Sequence, residues 1–156
     1  MNNKERPKSI RLLMGYFRRD NSMTSMTEQS SKRKEKRRIL AVDDNPDITL
    51  TLEEVLKSDG SFEIDTFNDP ELALSSFKPG VYDLALIDLR MPKMYGHELY
   101  DKIKELDSKV KVCFMSATYV NYEDARKTFP SLEIECFIQK PVKIKDLIRR
   151  INAELE

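Results

Sequence analysis

Histidine is almost missing from this chain of 156 residues: His97 is the only one. A cluster of histidines around a transition metal is therefore excluded, and so is a histidine-based kinase or phosphotransfer module. His97 falls just after Gly96 at an expected helix start and reads as a surface residue. Cysteine is nearly as scarce. Cys113 and Cys136 are the two present, and their spacing is neither CxxC nor part of a metal-ligand pattern. Each lies in an apolar run, which reads as two reduced, packed thiols. No apolar run is long enough to span a bilayer. The N-terminal segment lacks the apolar centre and small-residue cleavage site of a secretory leader, so the expected location is the cytoplasm.

Net charge is also zero, but the two ends differ. Residues 1–38 hold twelve Lys/Arg against four Asp/Glu, and the remainder holds fifteen against twenty-three. A basic extension, residues 1–37, thus precedes an acidic domain, residues 38–156. Residues 20–36 are too polar to fold alone. Ile10, Leu13, Met14 and Phe17 form a short basic amphipathic stripe, suited to a membrane surface or a partner. A solvated tail is the plainer reading, and a true start at Met14, Met23 or Met26 is a third.

From residue 38 the pattern is regular. Short apolar runs at 38–42, 62–67, 83–87, 110–115 and 134–139 read as strands. Helical patterns fill about 46–58, 69–78, 96–107, 119–128 and 143–155. Pro46 suits a first helical turn and Gly60 a helix end. Strict alternation of strand and helix forces parallel strands with right-handed crossovers. The fold expected is α/β, a doubly wound five-stranded parallel sheet of order 2-1-3-4-5, flavodoxin-like, with helices on both faces. The run at 62–67 alternates in polarity, as an edge strand does.

Four of the runs end on residues suited to phosphoryl chemistry: Asp43-Asp44, Asp88, Ser116 and Lys140-Pro141. Strand ends in such a sheet form one rim, and ligands bind there at the point where strand order reverses. Three carboxylates together repel unless a cation joins them. Magnesium fits, since it takes one or two carboxylates and completes its shell with water and phosphate oxygens. Asp44 and Asp88 read as direct ligands, and Asp43 as a second carboxylate or a ligand through water. Lys140 supplies a compact positive charge that pairs with Asp88 at rest. Ser116 supplies a hydroxyl donor. Asp88, flanked by the metal side and the lysine side, is the candidate nucleophile for an aspartyl phosphate. Taken singly, each of these residues reads as well as a helix cap or a turn residue. The signal is their joint placement.

Residues 38–156 resemble a response-regulator receiver domain of two-component signalling. The resemblance rests on Val42-Asp43-Asp44-Asn45, on Leu86 to Met94 around Asp88, on Met115-Ser116-Ala117, and on Phe137-Ile138-Gln139-Lys140-Pro141. It implies that Asp88 is phosphorylated by a sensor histidine kinase or a phosphotransfer protein, with Ser116 and Lys140 assisting. It implies magnesium held by Asp43, Asp44, Asp88 and the backbone carbonyl of Arg90. It implies a switch in which Ser116 moves toward the phosphoryl group and Phe137 turns inward. Phe137 lacks the hydroxyl that a tyrosine there would offer, and a simple core role is its plainer reading. The peptide bond before Pro141 resembles one that is cis in the family. The resemblance implies that the side chains of Arg90 and Thr118 flank the site and tune phosphoryl lifetime through water access.

The expectation is a stand-alone response regulator, monomeric or weakly dimeric on phosphorylation, whose output is binding an unidentified downstream protein. It is expected not to be an enzyme beyond its own phosphorylation and dephosphorylation. The alternatives are an adaptor independent of phosphorylation and an intermediate in a multistep relay. A phosphatase with an aspartate nucleophile needs a second Asp two residues on. Arg90 and Asn45 stand at those positions, which argues against it. Nucleic-acid binding by the basic tail would be nonspecific and salt-dependent.

Overall fold

A computed structural model describes residues 35–118 and 122–156. The basic stripe at Ile10 to Phe17 and the polar stretch up to residue 34 lie outside the described residues. Five strands and five helices alternate along the rest. The strands are β1 (Arg37–Val42), β2 (Phe62–Phe67), β3 (Leu84–Asp88), β4 (Lys111–Ser116) and β5 (Cys136–Gln139). The helices are α1 (Pro46–Asp59), α2 (Pro70–Ser76), α3 (Gly96–Leu106), α4 (Tyr122–Thr128) and α5 (Ile144–Leu155). All pairings are parallel, in the order β2-β1-β3-β4-β5.

Local sequence explains the boundaries. Asn45 opens α1 by accepting the Asp47 N–H at 3.0 Å, and Pro46 needs no partner for its missing N–H. Gly60 closes α1 with φ 83°, a conformation that costs glycine little. Asp69 caps α2 through the N–H groups of Glu71 and Leu72. That helix ends at Ser76, two residues before the sequence pattern predicts, because Phe77 turns extended at φ −65°, ψ 133°. In α3, Glu98 reaches back to accept the Tyr95 N–H at 2.7 Å.

Alternation along the strands feeds two cores. Leu40, Val42, Ile87, Phe114 and Phe137 meet Ala73 of α2, Leu99 and Ile103 of α3, and Ala125 of α4. Ile39, Ala41, Leu86, Met115 and Ile138 meet Leu52 and Leu56 of α1, and Leu147 and Ile151 of α5. Every residue of β3 is buried, as expected at the centre of a parallel sheet covered on both faces.

The two cysteines depart from expectation. Register places Cys113 directly opposite Cys136 on adjacent strands, with Cα atoms 4.5 Å apart, and a disulfide joins them. They are not a pair of reduced thiols. The sequence spacing of 23 hid a contact that only the β4–β5 register creates. His97 departs too. Its ring stacks on Tyr95 at 5.8 Å and meets Phe129 in a tilted contact at 4.6 Å between centroids. Its Nδ1 is buried without a hydrogen-bond partner. The residue bridges the start of α3 to the end of α4 rather than lying free on the surface.

Candidate phosphoacceptor and metal site

The rim expected from the strand ends is real. Val42 pairs with Ile87, so Asp43 and Asp88 emerge side by side from β1 and β3. Ser116 pairs with Gln139, so Lys140 emerges beside Ser116. The Lys140 N–H donates to the Ser116 carbonyl at 2.8 Å, and the Leu89 N–H donates to the Met115 carbonyl at 3.0 Å. These backbone bonds carry the sheet ladder one residue past its strands and fix the two side-chain rows. The Lys140–Pro141 peptide is cis, as the family resemblance implied.

Four polar side chains are sunk into this end of the sheet: Asp43 is 3% exposed, Asp88 7%, Ser116 1% and Lys140 8%. Buried ionic groups persist only when paired and hydrogen-bonded. Lys140 Nζ meets Asp43 Oδ2 at 2.7 Å and Asp88 Oδ1 at 3.0 Å. The lysine therefore bridges two carboxylates, where the sequence had suggested a pair with Asp88 alone. Asp43 Oδ1 accepts the Asn45 N–H at 2.9 Å. Asp44 is exposed.

The charges account for the protonation behaviour. Burial raises the Asp88 pKa, Lys140 opposes that, and Asp43 and Asp44 add to it; the result is a pKa of about 6. Burial lowers the Lys140 pKa, but Asp43 and Asp88 more than reverse this, so the ammonium stays charged.

Carboxylate oxygens of Asp43, Asp44 and Asp88 lie within 4.8 Å of one another. Three hard oxygen donors, one of them reaching solvent, suit a magnesium ion that keeps part of its water shell. Lys140 contacts two of the three but offsets only one negative charge, so the net charge left favours a divalent cation. The cleft these residues line also takes in Arg90, Ser116, Ala117 and Thr118, and its volume is about 270 Å³. That is at the small end for ligand pockets. It suits an ion and a phosphoryl group rather than a nucleotide.

Ser116 Oγ accepts the Thr118 N–H at 3.1 Å, so its lone pair shapes the loop after β4. Phe137 is buried, 7% exposed, in the core facing α2, α3 and α4. Its carbonyl accepts from the Arg150 guanidinium at 2.9 Å, which ties β5 to α5. The loop after Asp88 is pinned by Lys93, at φ 70°, whose ammonium pairs with Asp69.

Sequence reasoning missed Asn68 and Thr49. Asn68 Nδ2 donates to the Asp43 carbonyl at 2.9 Å and to Thr49 Oγ1 at 2.8 Å. An asparagine after a strand normally signals only a turn. The one available signal was its position at the end of β2, next to the expected site.

A doubly wound parallel sheet of order 2-1-3-4-5, with an acidic triad, a bridging lysine and a buried serine along one rim, defines the class: a flavodoxin-like α/β fold. The particular family follows from the comparisons. A family model for the response regulator receiver domain matches residues 39–152, and the chain belongs to that family.

It is 34% identical over 122 residues to the chemotaxis protein CheY of Treponema pallidum, covering 76% of this chain and 83% of that one. It is 29% identical over 121 residues to the transcriptional regulatory protein RprY of Bacteroides fragilis. That match covers 78% of this chain, and the chain spans about half the length of this relative. Among solved structures, a CheY-like receiver domain from Methanospirillum hungatei superposes with a TM-score of 0.68 at 27% identity, over 78% of this chain and 94% of that one. A chain of the CheX-CheY-BeF3-Mg complex of Borrelia burgdorferi gives a TM-score of 0.65 at 27% identity, over 75% of this chain and 87% of that one. Among the described residues, no helix is long and apolar enough to cross a membrane.

Proposed function

We propose that this chain is a phosphoacceptor switch, phosphorylated on Asp88 by the phosphohistidine of a sensor kinase or phosphotransfer protein. The observation that carries the proposal is Asp88 itself: buried, 3.0 Å from the Lys140 ammonium, and within reach of the same ion as Asp43 and Asp44. An Asp88 carboxylate oxygen attacks phosphorus. A P–O bond forms as the P–N bond breaks, and the imidazole leaves with the bonding pair. Lys140 follows the negative charge from the Asp88 carboxylate to a phosphoryl oxygen. Ser116 offers its hydroxyl to another. Asp43, Asp44, Asp88 and the Arg90 carbonyl would hold a magnesium ion, which supplies neutralisation of the phosphoryl oxygens.

Engagement of Ser116 changes the environment of β4 beside Phe137, and the surface of α4 and β5 is then altered for a downstream protein. The chain is a signalling component and turns over no substrate other than its own phosphoryl group. Likeness to CheY proteins supports binding as the output. Likeness to longer transcriptional regulators leaves that output a proposal.

Intact-mass spectrometry after incubation with acetyl phosphate tests this. One added phosphoryl group is expected, requiring magnesium and absent in Asp88→Asn. A folded, magnesium-binding chain that gains no mass when quenched promptly in acid would make it an adaptor independent of phosphorylation.

A further inference from the structure

We infer that Asn68 and Thr49 are positioning residues for the metal site, acting through the peptide that joins Asp43 to Asp44. The inference rests on the proposed function, since it concerns how that site holds its cation.

Asp43 is held at every polar atom. Its N–H donates to the Phe67 carbonyl at 3.1 Å. Its carboxylate accepts from Asn45 N–H on one oxygen and from Lys140 on the other. Its carbonyl accepts from Asn68 Nδ2 at 2.9 Å. That carbonyl belongs to the Asp43–Asp44 peptide, so the Asn68 bond sets the rotation of the peptide plane. The plane in turn sets the direction in which the exposed Asp44 side chain leaves the backbone. Asp44 is the one acid of the three that stands in solvent, so it has the most freedom to lose when a cation binds.

Thr49 holds Asn68 in place. Its hydroxyl has one proton, donated to the Pro46 carbonyl at 3.0 Å. A lone pair is left to accept the second Nδ2 hydrogen of Asn68 at 2.8 Å. Thr49 is buried, 3% exposed, so its two partners leave no unmet polar group. The amide of Asn68 thus has both hydrogens assigned, and its orientation is fixed. The three-way link ties the end of β2, the end of β1 and the first turn of α1 to one another. Residues that orient metal ligands without touching the metal cost roughly 10–100-fold in affinity when removed.

Magnesium titration by calorimetry on the full chain tests the inference, with Asn68→Ala, Thr49→Val and Thr49→Ser as variants. Tyr82→Phe serves as a control, since it loses the Tyr82 bond to Asp65, which lies midway along β2 and takes no part in the Asn68–Thr49–Asp43 link. Asn68→Ala should weaken magnesium about tenfold. Thr49→Val should weaken it in the same direction, and Thr49→Ser should restore it. The inference is overturned alone if wild type binds magnesium and Asn68→Ala binds within about twofold of it. It is also overturned if Tyr82→Phe is weakened as much, because the effect would then follow stability rather than position. A wild-type chain that binds no magnesium overturns the proposed function and this inference together.

Discussion

Gly96 packs against the backbone of Asp88 so closely that no side chain fits between them. A Cβ at Gly96 would meet the Asp88 carbonyl oxygen and lie 2.9 Å from Leu89 Cα. The Gly96 N–H also donates to the Leu89 carbonyl at 3.0 Å, closing the loop that leaves Asp88. The obstacle is backbone, which cannot rotate away as a side chain would. Gly96→Ala should therefore destabilise the fold by about 1–3 kcal/mol, the usual range for overpacking. It should also displace Asp88. Urea unfolding gives the first effect and the rate of phosphorylation by acetyl phosphate gives the second. Wild-type values for both would show that the loop relaxes without strain.

Lys140 pairs with both Asp43 and Asp88 at this end of the sheet, and removing it leaves two buried carboxylates without that charge. Breaking a buried ion pair from one side costs about 3–5 kcal/mol. Lys140→Met, which keeps the apolar stem and loses the charge, should lose stability of that order in chelator. Added magnesium should recover part of the loss by taking over the neutralisation. Thermal melts of variant and wild type, with and without magnesium, make the comparison. Equal loss in both conditions would mean that the lysine does not share its carboxylates with the ion.

The Asp88 pKa of about 6 sets a pH window. The ordinary value for an aspartate is 3.8, so the fold favours the protonated acid. The stabilising contribution is complete below the unfolded value and is lost as pH rises through about 6. In chelator, wild type should thus gain stability relative to Asp88→Asn as pH falls from about 8 to about 5. Magnesium binding should weaken over the same range, because proton and cation compete for one carboxylate. A flat difference between the two proteins across that range would place the Asp88 titration elsewhere.

The strand-end acids, the serine and the lysine were legible because apolar run and polar end are adjacent in sequence. Asp43, Asp44, Asp88, Ser116 and Lys140 needed only the rule for where parallel strands stop. Strand order followed from alternation alone, and the polarity pattern of residues 62–67 correctly marked β2 as an edge. What stayed hidden depends on register or on contacts across elements. Asn68 reaches Asp43 across 25 positions and Thr49 across 19. His97 meets Phe129 only because α3 and α4 lie side by side. The double pairing of Lys140 is equally a matter of geometry, since sequence names the groups but not which carboxylate lies nearer.

Cys113 and Cys136 offer the last test, because the bond between them crosses the two strands that carry Ser116 and Lys140. Cys113 is three residues before Ser116, and Cys136 is four before Lys140. Both sulfurs sit in the core beneath α1 and α5. Protein isolated without reductant should show no titratable thiol in denaturant, and two after reduction. Reduction should lower stability by about 2–4 kcal/mol, the usual contribution of a disulfide. The loss should appear mainly as faster local opening of β5, which is a short edge strand with a neighbour on one side only. Hydrogen exchange at Phe137 and Ile138, compared in oxidised and reduced protein, reads that opening directly. Two free thiols in the protein as isolated would return the pair to packed, reduced cysteines, and unchanged exchange after reduction would show that β4 and β5 hold together without the bond.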